Sequence, residues 1–256
     1  MQIIDFDRAA QKQQFEAHYQ PIIDLHNGVI VAIEARVRWN GGMGQHLITA
    51  GDVLRAASAV QAHWIIDRAV LERTVAAFGR LRDEIASVLP VAVNVSAETC
   101  MADDSAAQLE NFLARSGIRP ERLRLEFPQG AFLAASSTVI PLVQRLAARG
   151  YGIAVDHVDT ADFKAVHLEE IPVHTIKLHE RLVEQAPGDA ASDERIRGIC
   201  LAAQKRGWRV GAEGVVRLEQ LKFLRQAGCH EGQGALISRP QVLGNLMFLL
   251  RKGRCW

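Results

Sequence analysis

The 256-residue chain predicts an α/β fold, a modified (β/α)8 TIM-like barrel with one antiparallel strand. Three observations predict it. Short apolar runs alternate with amphipathic stretches almost end to end, about eight runs in the length usual for such a barrel. No linker rich in Pro, Gly or Ser breaks the alternation, so 1–256 reads as one domain with its core at about 15–250. The first two runs flank a turn signal, which makes them antiparallel neighbours. The competing arrangement is an open doubly wound sheet. Against it, no glycine-rich phosphate fingerprint follows the first strand, and "GGMG" at 41–44 matches neither GxGxxG nor a P-loop.

The elements follow in order. "HYQPIIDL" and "VIVAIEARVRW" are strands around "HNG". Thr49 and Asp52 can cap a helix beginning near 50. A long helical region, roughly 61–84, carries Trp64, Ile65, Ala69, Leu71, Val75 and Phe78 as its apolar positions. "VAVNVS" is a strand, and the helix of "AAQLENFLARSG" stops at Gly117. "LRLEF" is a strand. "TVIPLVQRLAARG" is a helix that places Pro141 in its first turn, the one helical position that tolerates it, and stops at Gly150. "YGIAVDHV" and "TIKLH" are strands. A helix stopped by Gly207, the strand "RVGAEGV", a helix stopped by Gly228, a last strand "EGQGALIS" and a terminal helix opened by Pro240 complete the chain.

Composition bounds the function. Hydrophobic residues make up 48% and charged residues 23%, with net charge +1, so nothing marks a binder of bulk nucleic acid or of an anionic membrane. The tail "RKGRCW" is a weak basic cluster. Cys100, Cys200, Cys229 and Cys255 contain no CxxC pair and read as reduced thiols of a cytoplasmic protein. The N-terminus lacks the charged-then-apolar order of a signal peptide, and the longest apolar runs fall short of a membrane span.

Most of the strands end on a polar group. These are Glu34, Asn94, Glu126, Asp156, Lys177, Glu213 and Gln233. A charge inside an apolar run is costly to bury unless it is paired or metal-bound. Barrel strand ends converge on one mouth, where four carboxylates would repel each other without a cation among them. All-oxygen ligands suit Mg2+ or Mn2+. Each acid taken alone could instead pair with an arginine or cap a helix.

In this order the residues resemble the EAL-domain family of cyclic di-GMP phosphodiesterases. The pieces are "YQPIIDLHNGVIVAIEARVRW", "VAVNVSA", "LRLEF", "GIAVDH", "IPVHTIKLH", "AEGVVRLEQL" and "GQGALISRP". The resemblance implies a modified (β/α)8 barrel and hydrolysis of cyclic di-GMP to linear pGpG. It implies that Glu34, Asn94, Glu126 and Asp156 hold one divalent metal, and that Asp156 and Glu213 lie at a second. Glu34, Lys177 and Glu213 match catalytic positions, with Lys177 near the attacking water. Gln20, Arg38 and Gln233 match ligand-binding positions. Arg36 falls at the third position of the signature, here Glu34-Ala35-Arg36, where the family has Leu. It either reaches the nucleotide or snorkels to water.

The sequence departs from the family elsewhere too. The "DDFGTG" loop is "DHVDTA", so His157 replaces a metal-ligating Asp. The "KxD" of the sixth strand is "KLH", which puts His179 in place of a carboxylate. Gln129 stands where a loop-anchoring glutamate is expected, and Val216 ends "EGVV". Neutral imidazole can bind Mn2+ or Zn2+ but is a poor Mg2+ ligand. One metal site is expected with a doubtful second. Alternatively, the two imidazoles bond each other or Asp156 and plug the mouth. Three functions follow: a cyclic di-GMP-binding module with little or no hydrolysis, a slow Mn2+-dependent phosphodiesterase using His157 and His179, or a protein-interaction regulator that no longer binds the nucleotide. These residues leave no room for a sensor, cyclase or DNA-binding domain, so regulation is expected through expression, a homodimer or a protein partner. Trp39 and Trp64 read as core or interface, Cys229-His230 as packing, and His63, His167 and His174 have no assigned role.

Overall fold

The structure, a computed structural model, describes residues 5–41, 48–79 and 89–252. The chain forms helix α1 (Phe6–Gln11), strands β1 (Phe15–Asp24) and β2 (Ile30–Trp39), and helices α2 (Ala50–Ser58) and α3 (His63–Phe78). Then come β3 (Val91–Asn94), α4 (Ala97–Met101), α5 (Asp103–Arg115), β4 (Leu123–Pro128), α6 (Gln129–Ala148), β5 (Gly152–Val158) and β6 (Thr175–Leu178). The rest is α7 (Glu180–Gln185), α8 (Ala190–Gln204), β7 (Arg209–Ala212), α9 (Leu218–Ala227), β8 (Glu231–Gly232) and α10 (Leu243–Lys252).

The eight strands close a barrel in chain order. β1 runs antiparallel to both β2 and β8, and every other pair is parallel. The hairpin expected from "HNG" is therefore present. Asp24 makes its turn, with Oδ1 accepting from the backbone N–H of His26 at 2.8 Å and of Asn27 at 3.1 Å.

Alternation along the strands separates two faces. Ile33, Val91, Val93, Leu125, Phe127, Ile153, Val155, Ile176, Leu178 and Val210 belong to the main buried core. The opposite face lines the barrel interior. There Ile22, Ala32 and Ala92 form a separate apolar cluster, with charged residues both above and below it. Tyr19 packs edge-on against Phe78 at 5.1 Å between ring centroids, fastening β1 to α3.

Several expectations need correction. Thr49 is the N-cap of α2, but its hydroxyl donates to Asp52 Oδ2 at 2.9 Å instead of taking a backbone N–H. The long helix ends at Phe78 with Gly79 as its C-cap; 80–84 lie outside the described residues, as do Cys255, most of "GGMG" and the end of the tail. Pro141 is not in a first turn. It lies inside α6, more than a turn past a break at Ala135 (φ −149°, ψ 53°). α6 is also longer and more apolar than expected: by length and composition it could cross a membrane, with mean hydropathy 1.3. Its Val139, Ile140, Leu142, Val143 and Leu146 are buried in the protein core. β7 ends at Ala212, β8 has only two residues, and the terminal helix begins at Leu243, three positions after Pro240. Trp39 is buried, and Trp64 bonds Gln108 at 2.8 Å. Cys229 packs against Cys200 with sulfurs 3.5 Å apart, both thiols free.

Candidate metal and ligand site at the barrel mouth

Register brings the strand-end residues together. Gln20 pairs with Glu34 across β1 and β2, Asn94 with Glu126 across β3 and β4, and Lys177 with Gly211 across β6 and β7. Gln20, Glu34, Glu126, Asp156, Lys177, Glu213 and Gln233 are all buried. The close approach that seats Gln233 requires glycine beside it. A Cβ on Gly234 would stand 2.1 Å from the Val215 carbonyl oxygen.

Lys177 is the hub. Its Nζ lies 2.5 Å from Glu126 Oε2, 3.3 Å from Glu34 Oε2 and 3.9 Å from Asp156 Oδ2, and it pairs with Glu213 Oε1. Glu34 also accepts from Asn94 Nδ2 at 2.8 Å and from Gln233 Nε2. Arg36 points inward, two residues along the same strand. Its Nε is 3.5 Å from Glu34 Oε1, and its Nη2 is 3.2 Å from Glu213 Oε2. Its Nη1 lies 3.5 Å from Gln20 Oε1, while Gln20 donates to the Ser238 carbonyl at 2.8 Å. Arg38 turns away and donates to the Val37 carbonyl at 2.8 Å.

The electrostatics divide the carboxylates. Burial would raise Glu34, but Arg36, Lys177 and the amides of Gln233 and Asn94 outweigh it and hold Glu34 down at about 2. Glu126 goes the other way. Burial first, then Glu34, Asp156 and Glu213, push it up to about 8 against the pull of Lys177. Burial and Glu34 raise Glu213 as well. Burial disfavours the charged form of Lys177, but the surrounding carboxylates override it and raise Lys177 well above its ordinary value.

Glu34, Glu126 and Glu213 offer carboxylate oxygens that all lie within 4.8 Å of one another and could hold a metal ion. Glu126 Oε1 and the Gln233 side-chain oxygen are buried without a hydrogen-bond partner. Unpartnered buried oxygens in an all-oxygen set fit a hard divalent cation such as Mg2+ or Mn2+.

The other side of the mouth differs. His157 has φ 59°, in the left-handed region, and its side chain is 54% exposed. Its backbone N–H donates to Asp156 Oδ1 at 2.7 Å, and its Nε2 is 3.8 Å from Asp156 Oδ2. His179 is the N-cap of α7, its Nδ1 accepting from the Arg181 N–H at 3.2 Å. The two rings lean together with centroids 5.4 Å apart. Gln129 Nε2 donates to Asp159 Oδ1 at 3.2 Å, tying the start of α6 to the loop after β5.

A cavity of about 460 Å3 opens beside this cluster, lined among others by Arg36, His63, Asn94, Asp156 and His157. His63 gave no sequence signal, yet it borders the cavity with a buried, unpartnered Nδ1. Asp67 was also missed. It is buried on α3 and accepts from the Ser96 N–H at 2.9 Å and hydroxyl at 2.6 Å, anchoring the turn that follows Asn94. At the opposite end of the barrel interior lies an unforeseen ion pair. Arg124 Nη1 and Nη2 bind the two oxygens of Glu231 at 2.7 and 3.3 Å, and Arg209 Nε adds a bond at 2.9 Å. Arg124 stands two places before Glu126, an alternation that could have revealed it.

The EAL domain family model matches residues 5–240. Cyclic di-GMP phosphodiesterase NbdA of Pseudomonas aeruginosa is 30% identical over 96% of this chain and 31% of its own length. The bifunctional diguanylate cyclase/cyclic di-GMP phosphodiesterase MucR of the same organism is 27% identical over 95% of this chain and 35% of its own. This chain thus spans about a third of the length of these curated relatives. The solved structure of PaMucR phosphodiesterase in complex with c-di-GMP aligns with a TM-score of 0.78 at 25% identity, covering 94% of this chain and 98% of that one. A closed barrel with one reversed strand, a carboxylate-lined mouth and a family match over most of the sequence lead to one conclusion: this chain belongs to the EAL domain family.

Proposed function

We propose that the chain binds cyclic di-GMP at the barrel mouth and hydrolyses it slowly or not at all. One observation carries this reading. Among the described residues, the group of three ligating side chains that converge closely enough for a cation is Glu34, Glu126 and Glu213, and neither His157 nor His179 joins it. One side of the mouth is built for a metal and the other presents imidazoles. A divalent cation held by the three glutamates would neutralise charge on a phosphate oxygen and acidify a bound water. Lys177 keeps the carboxylates together, and Gln233 and Asn94 orient Glu34. Arg36, which lines the cavity and faces Gln20, stands at the approach to the ligand, whereas Arg38 turns away from it. Resemblance in sequence and fold to proteins named for cyclic di-GMP supports the choice of ligand. The free thiols fit a reducing, cytoplasmic setting.

Calorimetry with cyclic di-GMP, in EDTA and then with Mg2+ or Mn2+, tests binding. Absence of heat in all three would overturn the nucleotide reading and favour a protein-interaction regulator, acting as a homodimer or on another protein. Chromatography for pGpG after long incubation with Mn2+ then separates receptor from enzyme. The slow-enzyme reading has its own support in Lys177, which keeps its place among four carboxylates. Restoring carboxylates with His157→Asp and His179→Asp is expected to raise pGpG formation if the remaining shell is competent.

A further inference from the structure

We propose that Arg36 is a tethered counter-ion that competes with divalent metal for Glu34 and Glu213. The inference rests on the carboxylate cluster and stands apart from the identity of the nucleotide.

Both oxygens of Glu34 are already taken. Oε1 faces Asn94 and Arg36, and Oε2 faces Gln233 and Lys177. Both oxygens of Glu213 are taken as well, Oε1 by Lys177 and Oε2 by Arg36. Glu213 Oε1 makes no hydrogen bond but is held by the Lys177 charge, so of the three glutamates only Glu126 keeps an oxygen, Oε1, with neither a hydrogen bond nor an ion pair. A cation that draws on all three glutamates must therefore displace a positive group from two of them.

Lys177 cannot yield. Its side chain is 4% exposed and four carboxylates surround it. Arg36 can yield. Its side chain is 31% exposed and lines the cavity of about 460 Å3, so its guanidinium has solvent and space to move into. While it stays, it adds a fixed positive charge beside any incoming metal, and like charges at that range repel strongly in a partly buried site. The guanidinium cannot deprotonate to relieve this. Arg36 thus sets how tightly the mouth takes metal, as a residue that positions charge and excludes cations.

The test is Mn2+ affinity, read by electron paramagnetic resonance of free Mn2+ and by calorimetry on the full chain. Arg36→Met removes the charge and keeps the bulk. Arg36→Gln removes the charge and keeps a hydrogen-bond donor, and serves if the methionine variant does not fold. Either neutral variant is expected to bind Mn2+ at least about tenfold more tightly than wild type, a shift of about 1.4 kcal/mol. Arg36→Lys, which retains the charge, is expected to stay near the wild-type value. Equal Mn2+ affinity in wild type and the neutral variants overturns the proposal, and so does an Arg36→Lys variant that gains as much as the neutral ones. Cyclic di-GMP binding is measured on the same samples. Its absence would sink the nucleotide reading while the Mn2+ comparison still decides the role of Arg36.

Discussion

The barrel interior carries charge at both ends, and the two ends solve the burial problem differently. At the floor, Arg124 grips both oxygens of Glu231 and Arg209 adds a third bond, so cations outnumber the carboxylate. At the mouth, four carboxylates face Lys177 and Arg36, so carboxylates outnumber cations. Burial raises Glu231, but the arginines more than offset it and leave its acidity stronger than usual. Burial raises Glu126 to about 8, and there the neighbouring acids add to it. The apolar layer of Ile22, Ala32 and Ala92 is common to both ends. The lesson is that charge balance distinguishes a structural ion pair from a ligand site. The floor is complete as it stands, and the mouth has anionic capacity to spare.

The largest effect that could break this comparison is on stability. Glu231→Ala leaves the nearly buried Arg124 without its counter-charge and is expected to cost about 3–5 kcal/mol in urea unfolding. Glu126→Gln removes one of several repelling acids and is expected to fall within about 1 kcal/mol of wild type or to stabilise. Equal costs would mean that the two ends are built alike.

A metal response should come next in size. Mn2+ at about a hundredfold its dissociation constant is expected to add about 2.7 kcal/mol to unfolding stability. Glu34→Gln, a change at the mouth, should abolish most of that gain, and Arg209→Ala, at the floor, should leave it intact. Thermal melts with and without Mn2+ measure both.

Acid should then weaken the floor. The folded-state pKa of Glu231 is lowered, so its contribution is fully present above the unfolded glutamate value of about 4.3 and is lost as pH falls through the lower folded value. The stability gap between wild type and Glu231→Gln is therefore expected to hold constant between about pH 7 and pH 5 and to shrink below about pH 4. A gap that grows on acidification would contradict the pairing. The smallest effect is expected from Arg209→Ala itself. Arg209 is 43% exposed and shares Glu231 with Arg124, so its loss should cost no more than about 1 kcal/mol in the same urea experiment.

Much of the mouth was legible in the sequence. Glu34, Glu126, Asp156, Lys177 and Glu213 each interrupt or end an apolar run, and buried charge is too costly to be placed without a partner. The floor sends the same signal through Arg124 and Glu231, but these lie 107 residues apart in the chain. Only closure of β1 onto β8 and the β4 register make them neighbours. The break in α6 at Ala135 and the shortness of β8 were not legible either, because local propensity does not report where packing ends an element. His157 shows the same limit. Its identity was plain, but its left-handed backbone and its outward ring are tertiary facts.

The sequence alone determined which side chains face the barrel interior, since strand alternation is local and follows from backbone geometry. It also determined that the mouth would be rich in oxygen ligands. The tertiary structure decided which charges answer one another. It turned Arg36 onto Glu34 and Glu213, gathered four acids around Lys177, and set His157 and His179 outside the three-glutamate group. Those choices depend on register and closure, because Coulomb attraction and hydrogen bonding act over a few ångströms in space, whatever the separation along the chain.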